Sequence, residues 1–403
     1  MIVVAMIILV LCAVAHWISE RDILYPPVVF SCLWIVLLML VATSDAYDTV
    51  SDKGMAIYAL GSVCFGIGSM FGSQSQFVKY FKQGSMEETG FTSTAVMMAA
   101  VCGMVILTWM ILRMQTIAED VGISNIMLAL RFESAKGGGS ALGLLAYPVA
   151  WLTFASIAAV VRIGENTKAK VITGVLVAIA LLCQILSASR TGVGILLFGL
   201  AGAYAMKAPK NSYRGMLGVV AVFVGIFVLV ASVLGKMNVE GLGSQSPVQA
   251  VALMARHYLI SGVLAFDHVV QDPSAFKNGL HSFRFFAILL NGIGFNIHVP
   301  ELVLDYVWIP YPTNIYTMYF PTYVDFGVMG VIAYTTIIGW ITGLAYRAAR
   351  SGSMVWCALY GLMFAKLLVS GITEHFIVSM SYWIQAAVVF TVMLGSRRGV
   401  ERA

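Results

Sequence analysis

About eleven apolar stretches dominate this chain of 403 residues, near 1–16, 26–43, 54–72, 94–112, 143–161, 171–187, 192–206, 216–235, 324–346, 354–372 and 377–395. A helix needs roughly 20 such residues to cross a hydrocarbon core of about 30 Å, and all but the short first and seventh approach that length. The runs are continuous rather than alternating, which excludes a transmembrane β-barrel. Charged residues make up only 11% of the chain, against about 25% in soluble domains. The expected fold is an all-α polytopic membrane protein with about 11 transmembrane helices and a large loop between the eighth and ninth. That gives three regions: helices 1–8 over 1–235, the loop over 236–323, and helices 9–11 with a tail over 324–403.

Lys and Arg orient the bundle. With the N-terminus outside, the cytoplasmic loops are 17–25, 73–93, 162–170, 207–215, 347–353 and the tail, which together hold 14 of the 24 basic residues. The positive-inside rule therefore predicts an N-out, C-in protein of the bacterial inner membrane, with 113–142 and 236–323 facing the periplasm. "AVA" at 13–15 resembles a cleavage site but lacks a basic n-region before it, so an uncleaved first span is expected. The net charge of +5 is too small and scattered to point to nucleic acid. All six cysteines lie in apolar runs without ligand spacing, so neither a metal site nor a disulfide framework is expected. Walker, Gly-x-Ser-x-Gly and His-Glu-x-x-His motifs are absent, and no cofactor is implied. Closely spaced glycines at Gly68/Gly72 and Gly339/Gly343 read as close helix packing instead.

The predicted outer face carries unusual charge. Arg190 stands in "SASRTG" (187–192), between two apolar runs, and an Arg near hydrocarbon needs a partner. Arg113, Arg131, Arg256 and Arg284 fall on the same side, as do His257, His268, His281, His298 and His375. Several guanidinium groups converging from different loops suit a bound phosphate. Two segments of the long loop, "PVQAVALMARHYLISGVLAFDHVV" and "LHSFRFFAILLNGIG", are helical patterns too polar to span and are expected against the outer interface. Lys366 lies inside a span, as a buried counter-ion partner or a snorkelling side chain.

The most specific stretch is "PYPTNIYTMYFPTYVDFGVMGVIAY" (310–334), with "PTNIYTMYFPTYVDFG" (312–327) at its heart. Pro310, Pro312 and Pro321 are expected to prevent regular helix, so that the chain forms an irregular ledge. The ledge presents Asn314, Tyr316, Tyr319, Tyr323 and Asp325 just before a span, with Asp325 at a favourable helix start.

This stretch, with "SASRTG" opening a span, resembles the Wzy-type O-antigen polymerases. The resemblance implies a GT-C-like glycosyltransferase of lipopolysaccharide biosynthesis. It would move a growing glycan from undecaprenyl pyrophosphate onto an undecaprenyl-pyrophosphate-linked repeat unit. It also brings in a chain-length regulator as candidate partner. By motif it carries over to Arg190 and Thr191, Asn314, Tyr316 and Asp325.

The chemistry asks for cations at a leaving pyrophosphate and a base at the acceptor hydroxyl. With no Asp-x-Asp motif, Arg190, Arg256 and Arg284 are the expected pyrophosphate ligands, making the enzyme metal-independent; Thr191, Asn314, Tyr316 and Tyr323 join the substrate site. Asp325, His257, His375 and Glu374 are the candidate catalytic groups. Two other functions fit less well. An O-antigen ligase shares the donor, whereas a transporter or flippase calls for mid-membrane charges and inverted repeats.

Overall fold

The computed structural model describes the chain apart from residues 45–48, 78–91, 127–128, 131–132, 134–141, 165, 188, 208–246 other than 218, 222 and 225, 273–279, 302–303 and 396–403. Among the described residues there are twelve α-helices. They are α1 (Ile2–Glu20), α2 (Pro26–Ala42), α3 (Asp52–Gln74), α4 (Thr92–Val121), α5 (Ala146–Arg162), α6 (Thr167–Leu186), α7 (Arg190–Lys207), α8 (Pro247–Gln271), α9 (Arg284–Gly292), α10 (Phe320–Arg350), α11 (Met354–Leu368) and α12 (Met380–Leu394). Two short strands, β1 (Val307–Ile309) and β2 (Tyr311–Thr313), form an antiparallel hairpin. Six helices are long and apolar enough to cross a membrane, and α2, α11 and α12 are shorter apolar helices. This is an all-α membrane protein. Each expected span coincides with a helix except 216–235, most of which lies outside the described residues, as do Arg131 and most of the 131–143 glycine-rich segment.

Local chemistry explains the boundaries. α2 opens on Pro26 and Pro27, whose missing N–H groups cost nothing in a first turn. α3 is capped by Ser51, whose hydroxyl accepts from Gly54 N at 3.1 Å. α4 continues nine residues past its expected end at 112 and stops before Gly122, where φ is 71°. Arg113 therefore belongs to a helix and not to a loop.

The chain divides into two compact units: 1–75, 235–344 and 366–381 in the first, and 76–234, 345–365 and 382–403 in the second. In the first, α3 and α10 meet backbone to backbone. A Cβ on Gly68 or Gly72 would collide with the carbonyl of Thr336 or Trp340, and one on Gly339 or Gly343 with that of Phe65 or Ser69. These glycines therefore serve the close packing expected of them. An aromatic core lies beside this seam, with Trp34 stacked on Tyr319 at 5.1 Å and Phe30 on Phe65 at 4.2 Å between ring centroids. In the second unit, Met110, Met114, Leu152, Leu176, Ile179, Cys183 and Leu196 form an aliphatic core among α4 to α7.

The seam makes a testable demand. Gly339→Leu places a side chain against a carbonyl that cannot rotate away, and overpacking of this kind costs about 1–3 kcal/mol or more. A lower melting temperature and less folded protein are expected. Gly174, with nothing within 4 Å of its would-be Cβ, is the control that tolerates Ala.

α8 departs from expectation. Rather than lying along an interface, its second half is interior to the first unit: Ile260–Asp267, Val269 and Val270 are all buried. The carboxylate of Asp267 in this half is satisfied by neighbours. Asp267 accepts from Ser51 N at 2.9 Å, the Ser51 hydroxyl at 2.5 Å and Gln271 Nε2 at 2.8 Å. The carboxylate thus sits at the N-terminus of α3, where the helix dipole favours it. α9 leaves Phe286, Ile288, Leu289 and Leu290 exposed and buries Ala287.

Candidate active site

The 312–327 segment is more ordered than a prolyl ledge. Pro310 turns the β1–β2 hairpin, with Val307 opposite Thr313 and Trp308 opposite Pro312. The Thr313 hydroxyl then accepts from Ile315 N at 3.2 Å, bending the chain inward. Asn314 is half-buried, and Tyr316, Thr317, Met318 and Tyr319 are fully buried outside any helix. α10 begins at Phe320, so Pro321 does not block helix as expected. It occupies the first turn, where its absent N–H is harmless.

Two features tie this segment to the region before it. The Tyr316 hydroxyl donates to Asp305 O at 2.9 Å, and burial with Asp305 nearby raises its pKa, so it acts as a neutral donor. Asp325 accepts from His281 N at 3.1 Å through one oxygen and Ser282 N at 2.7 Å through the other. Those bonds take two of a carboxylate's roughly four acceptor positions. Two residues on, Gly327 interrupts α10 at φ 63° and ψ −151°, a conformation that only glycine adopts readily. Asp325 is therefore not at the start of α10, but it does stand just before the segment that resumes after the break.

Other expected residues gather nearby. His281, whose backbone meets Asp325, sets its ring 5.3 Å edge-on to Phe320, which in turn contacts Tyr316 at 4.7 Å. Its sequence position marked it only as one of several outer histidines; a backbone contact leaves no sequence signal. Arg284 follows three residues later and donates from Nε to Pro300 O at 2.8 Å, using one of its five N–H donors. Burial lowers its pKa from the ordinary guanidinium range. Tyr323 donates to Val270 O at 3.4 Å and lies under the Lys53 ammonium, 5.7 Å from its ring centroid.

Arg256 and His257 stand on α8. The Arg256 Nη2 donates to Leu40 O at 3.1 Å and to the Thr43 hydroxyl at 3.0 Å, so this guanidinium caps the C-terminus of α2. His257 stands edge-on to Tyr311 at 5.3 Å. Glu374 and His375 lie in the non-helical stretch between α11 and α12. Glu374 Oε1 accepts from the Tyr334 hydroxyl at 2.6 Å and from the Phe376 and Ile377 N–H groups, and Oε2 from Val378 N at 2.7 Å. Both oxygens are thereby engaged, and Glu374 is buried.

Arg190 and Thr191 belong to the second unit. Arg190 is the first residue of α7, with only 9% of its surface exposed. It is thus not the exposed tip residue that the sequence led us to expect. Ser189 caps α7, its hydroxyl accepting from Gly192 N at 3.0 Å. Gly192 leaves room for the Gln184 carbonyl, which a Cβ would strike. The Gln184 amide donates to Thr153 at 3.0 Å, holding α6 to α5. "SASRTG" is thus a helix cap that places a guanidinium at a helix N-terminus.

Among the described residues, no group of three or more His, Cys, Asp or Glu side chains is placed to hold a metal ion. No curated protein and no solved structure matches the chain significantly. A family model described as "Putative O-antigen polymerase" matches residues 23–382, nearly the whole chain and both motif segments. By that match this membrane protein belongs to the O-antigen polymerase family, glycosyltransferase-type polymerases that act on lipid-linked oligosaccharides.

Proposed function

We propose that this protein elongates a polysaccharide at the periplasmic face of the inner membrane, N-terminus outside and C-terminus inside. It passes the growing glycan from undecaprenyl pyrophosphate to the next undecaprenyl-pyrophosphate-linked repeat unit. The acceptor hydroxyl oxygen attacks the anomeric carbon, the bond to pyrophosphate breaks, and the hydroxyl proton goes to a base. Asp325 is assigned as that base. The observation that carries the assignment is its half-buried carboxylate, held by two backbone N–H groups with acceptor positions remaining, inside the segment on which the resemblance rests. Glu374, with four donors on its two oxygens, is poorly placed to take a proton.

Arg284 lies on the strip anchored by Asp325 and is assigned to the substrate pyrophosphate; for Arg190 and Thr191, in the second unit, a phosphate-binding role is proposed from the "SASRTG" resemblance alone. Arg256, which caps α2, supports it through its remaining N–H groups. Asn314, Tyr316 and Tyr323 shape the sugar site, and His257 and His375 are secondary proton carriers. Charge-assisted donors of this kind stabilise a leaving pyrophosphate without a metal.

The test is genetic and chemical. A deletion strain should make lipopolysaccharide carrying a single repeat unit; lipopolysaccharide without any unit would point to a ligase or a flippase. Purified enzyme should extend lipid-linked units in excess EDTA, and activity strictly dependent on added magnesium or manganese would overturn the arginine assignment.

A further inference from the structure

A groove in the first unit is lined by apolar side chains alone. It encloses about 430 Å³ and follows the first half of α1, from Ile2 to Leu11, where Val3, Met6, Ile7 and Val10 border it together with Ala42 of α2. At 1.5 Å per residue that stretch is about 14 Å long, close to one leaflet of a hydrocarbon core about 30 Å thick. Val3, Ile7, Val10 and Leu11 are exposed, so a chain can enter the groove sideways from the bilayer. With the N-terminus outside, as proposed above, this half of α1 lies in the outer leaflet.

A cation stands at one end of the groove. The Arg256 Nη2 of α8 donates to Leu40 O at 3.1 Å and to the Thr43 hydroxyl at 3.0 Å, both within two residues of Ala42. Both bonds come from a single nitrogen. The Nε N–H of the same guanidinium is shielded from water and has no acceptor among the described residues. A shielded donor left unmatched is costly, and one carried by a cation suits an anionic oxygen. An apolar crevice between membrane helices accepts any lipid chain, but one that ends at a guanidinium with donors to spare selects a chain headed by an anion. The family acts on lipid-linked oligosaccharides, so each substrate brings a long apolar tail.

We propose that the α1–α2 groove holds the polyprenyl chain of a lipid-linked substrate, with the phosphate that heads the chain on Arg256. The chemistry of the lipid is that of the reading above; the place of the chain is new. A single groove takes one chain, whereas a phospholipid brings two. The next residue, His257, stands edge-on to Tyr311 at 5.3 Å, in the hairpin that leads into the ledge. A sugar attached to the phosphate thus starts beside the path to Asn314 and Tyr316, while the tail stays in the leaflet.

The test uses the full-length protein in nanodiscs of phosphatidylethanolamine and phosphatidylglycerol. The probe is a polyprenyl phosphate bearing a photoreactive diazirine, compared with its uncharged polyprenol analogue. Cross-links mapped by mass spectrometry are expected within residues 2–11, competed by undecaprenyl phosphate and not by added phosphatidylglycerol. Ile7→Trp fills the groove; it should cut labelling at least about fivefold and raise KM for the lipid-linked substrate similarly, with kcat changing less. Val14→Trp, exposed on the same helix beyond the groove, should leave both near wild type. Arg256→Gln should erase the preference for phosphate over polyprenol while the chain still labels α1, and Arg256→Lys should restore part of it. Labelling displaced equally well by phosphatidylglycerol, or spread evenly along α1, would reduce the groove to ordinary lipid contact and overturn the proposal. So would wild-type labelling in Ile7→Trp. If the groove is labelled as expected but wild type polymerises nothing, the lipid site stands and the functional reading fails. If wild type polymerises and Ile7→Trp keeps its KM, the reading stands and the lipid site falls.

Discussion

Asp325→Asn is expected to stop chain growth, leaving single-unit glycan in cells and a rate lowered by about 10²–10⁴ in purified enzyme, the range for loss of a general base. The amide is nearly isosteric but cannot take the acceptor's proton. It also presents an NH2 group where the carboxylate accepts either His281 N or Ser282 N, so one of those bonds is lost. Asp325→Glu separates the two effects. It restores a basic carboxylate displaced by one methylene, so partial activity is expected with shortened ladders. Rates are compared per folded molecule, because loosening of the 281–284 strip would also lower yield. An Asp325→Asn rate within about threefold of wild type would reduce Asp325 to an anchor for that strip and remove it from the chemistry.

Arg190 should show nearly as large an effect, separable into charge and shape. Loss of one donor to a developing oxyanion typically costs on the order of 10²–10³ in rate, and Arg190→Ala should fall in that range. Arg190→Lys keeps the charge but loses the planar two-pronged bond, so sparse ladders should persist. Because Arg190 is 91% buried, judged from its 9% exposure, the Ala variant should also accumulate less well. Activity must again be normalised to folded protein. A normal rate per molecule in Arg190→Ala would refute the phosphate assignment, whatever happened to yield.

Much of this architecture was legible in the chain. Long apolar runs have one fate, because a lipid-exposed backbone must satisfy its own hydrogen bonds as helix. The glycine pairs of α3 and α10 were equally readable, since a small-residue stripe in an apolar helix signals backbone contact whatever the partner. "SASRTG" and the 312–327 segment were visible as polar interruptions in apolar surroundings, and the resemblance to the family was read from the same residues.

Only the tertiary structure decided which charges are already engaged. In sequence, Arg256 and Arg284 look equivalent, yet one caps α2 while the other lies on the strip bonded to Asp325. Glu374 and Asp325 are both carboxylates near helix starts, but four donors surround the first and two the second. Arg190 looked like an exposed tip and is buried; Pro321 looked like a helix breaker and opens a helix. The physical reason is common to all of them. Hydrophobicity is a local property summed along the chain, so segments declare themselves. Hydrogen-bond satisfaction of a buried polar group depends on partners far along the chain, 216 residues away between Arg256 and Leu40, and no local pattern encodes that pairing.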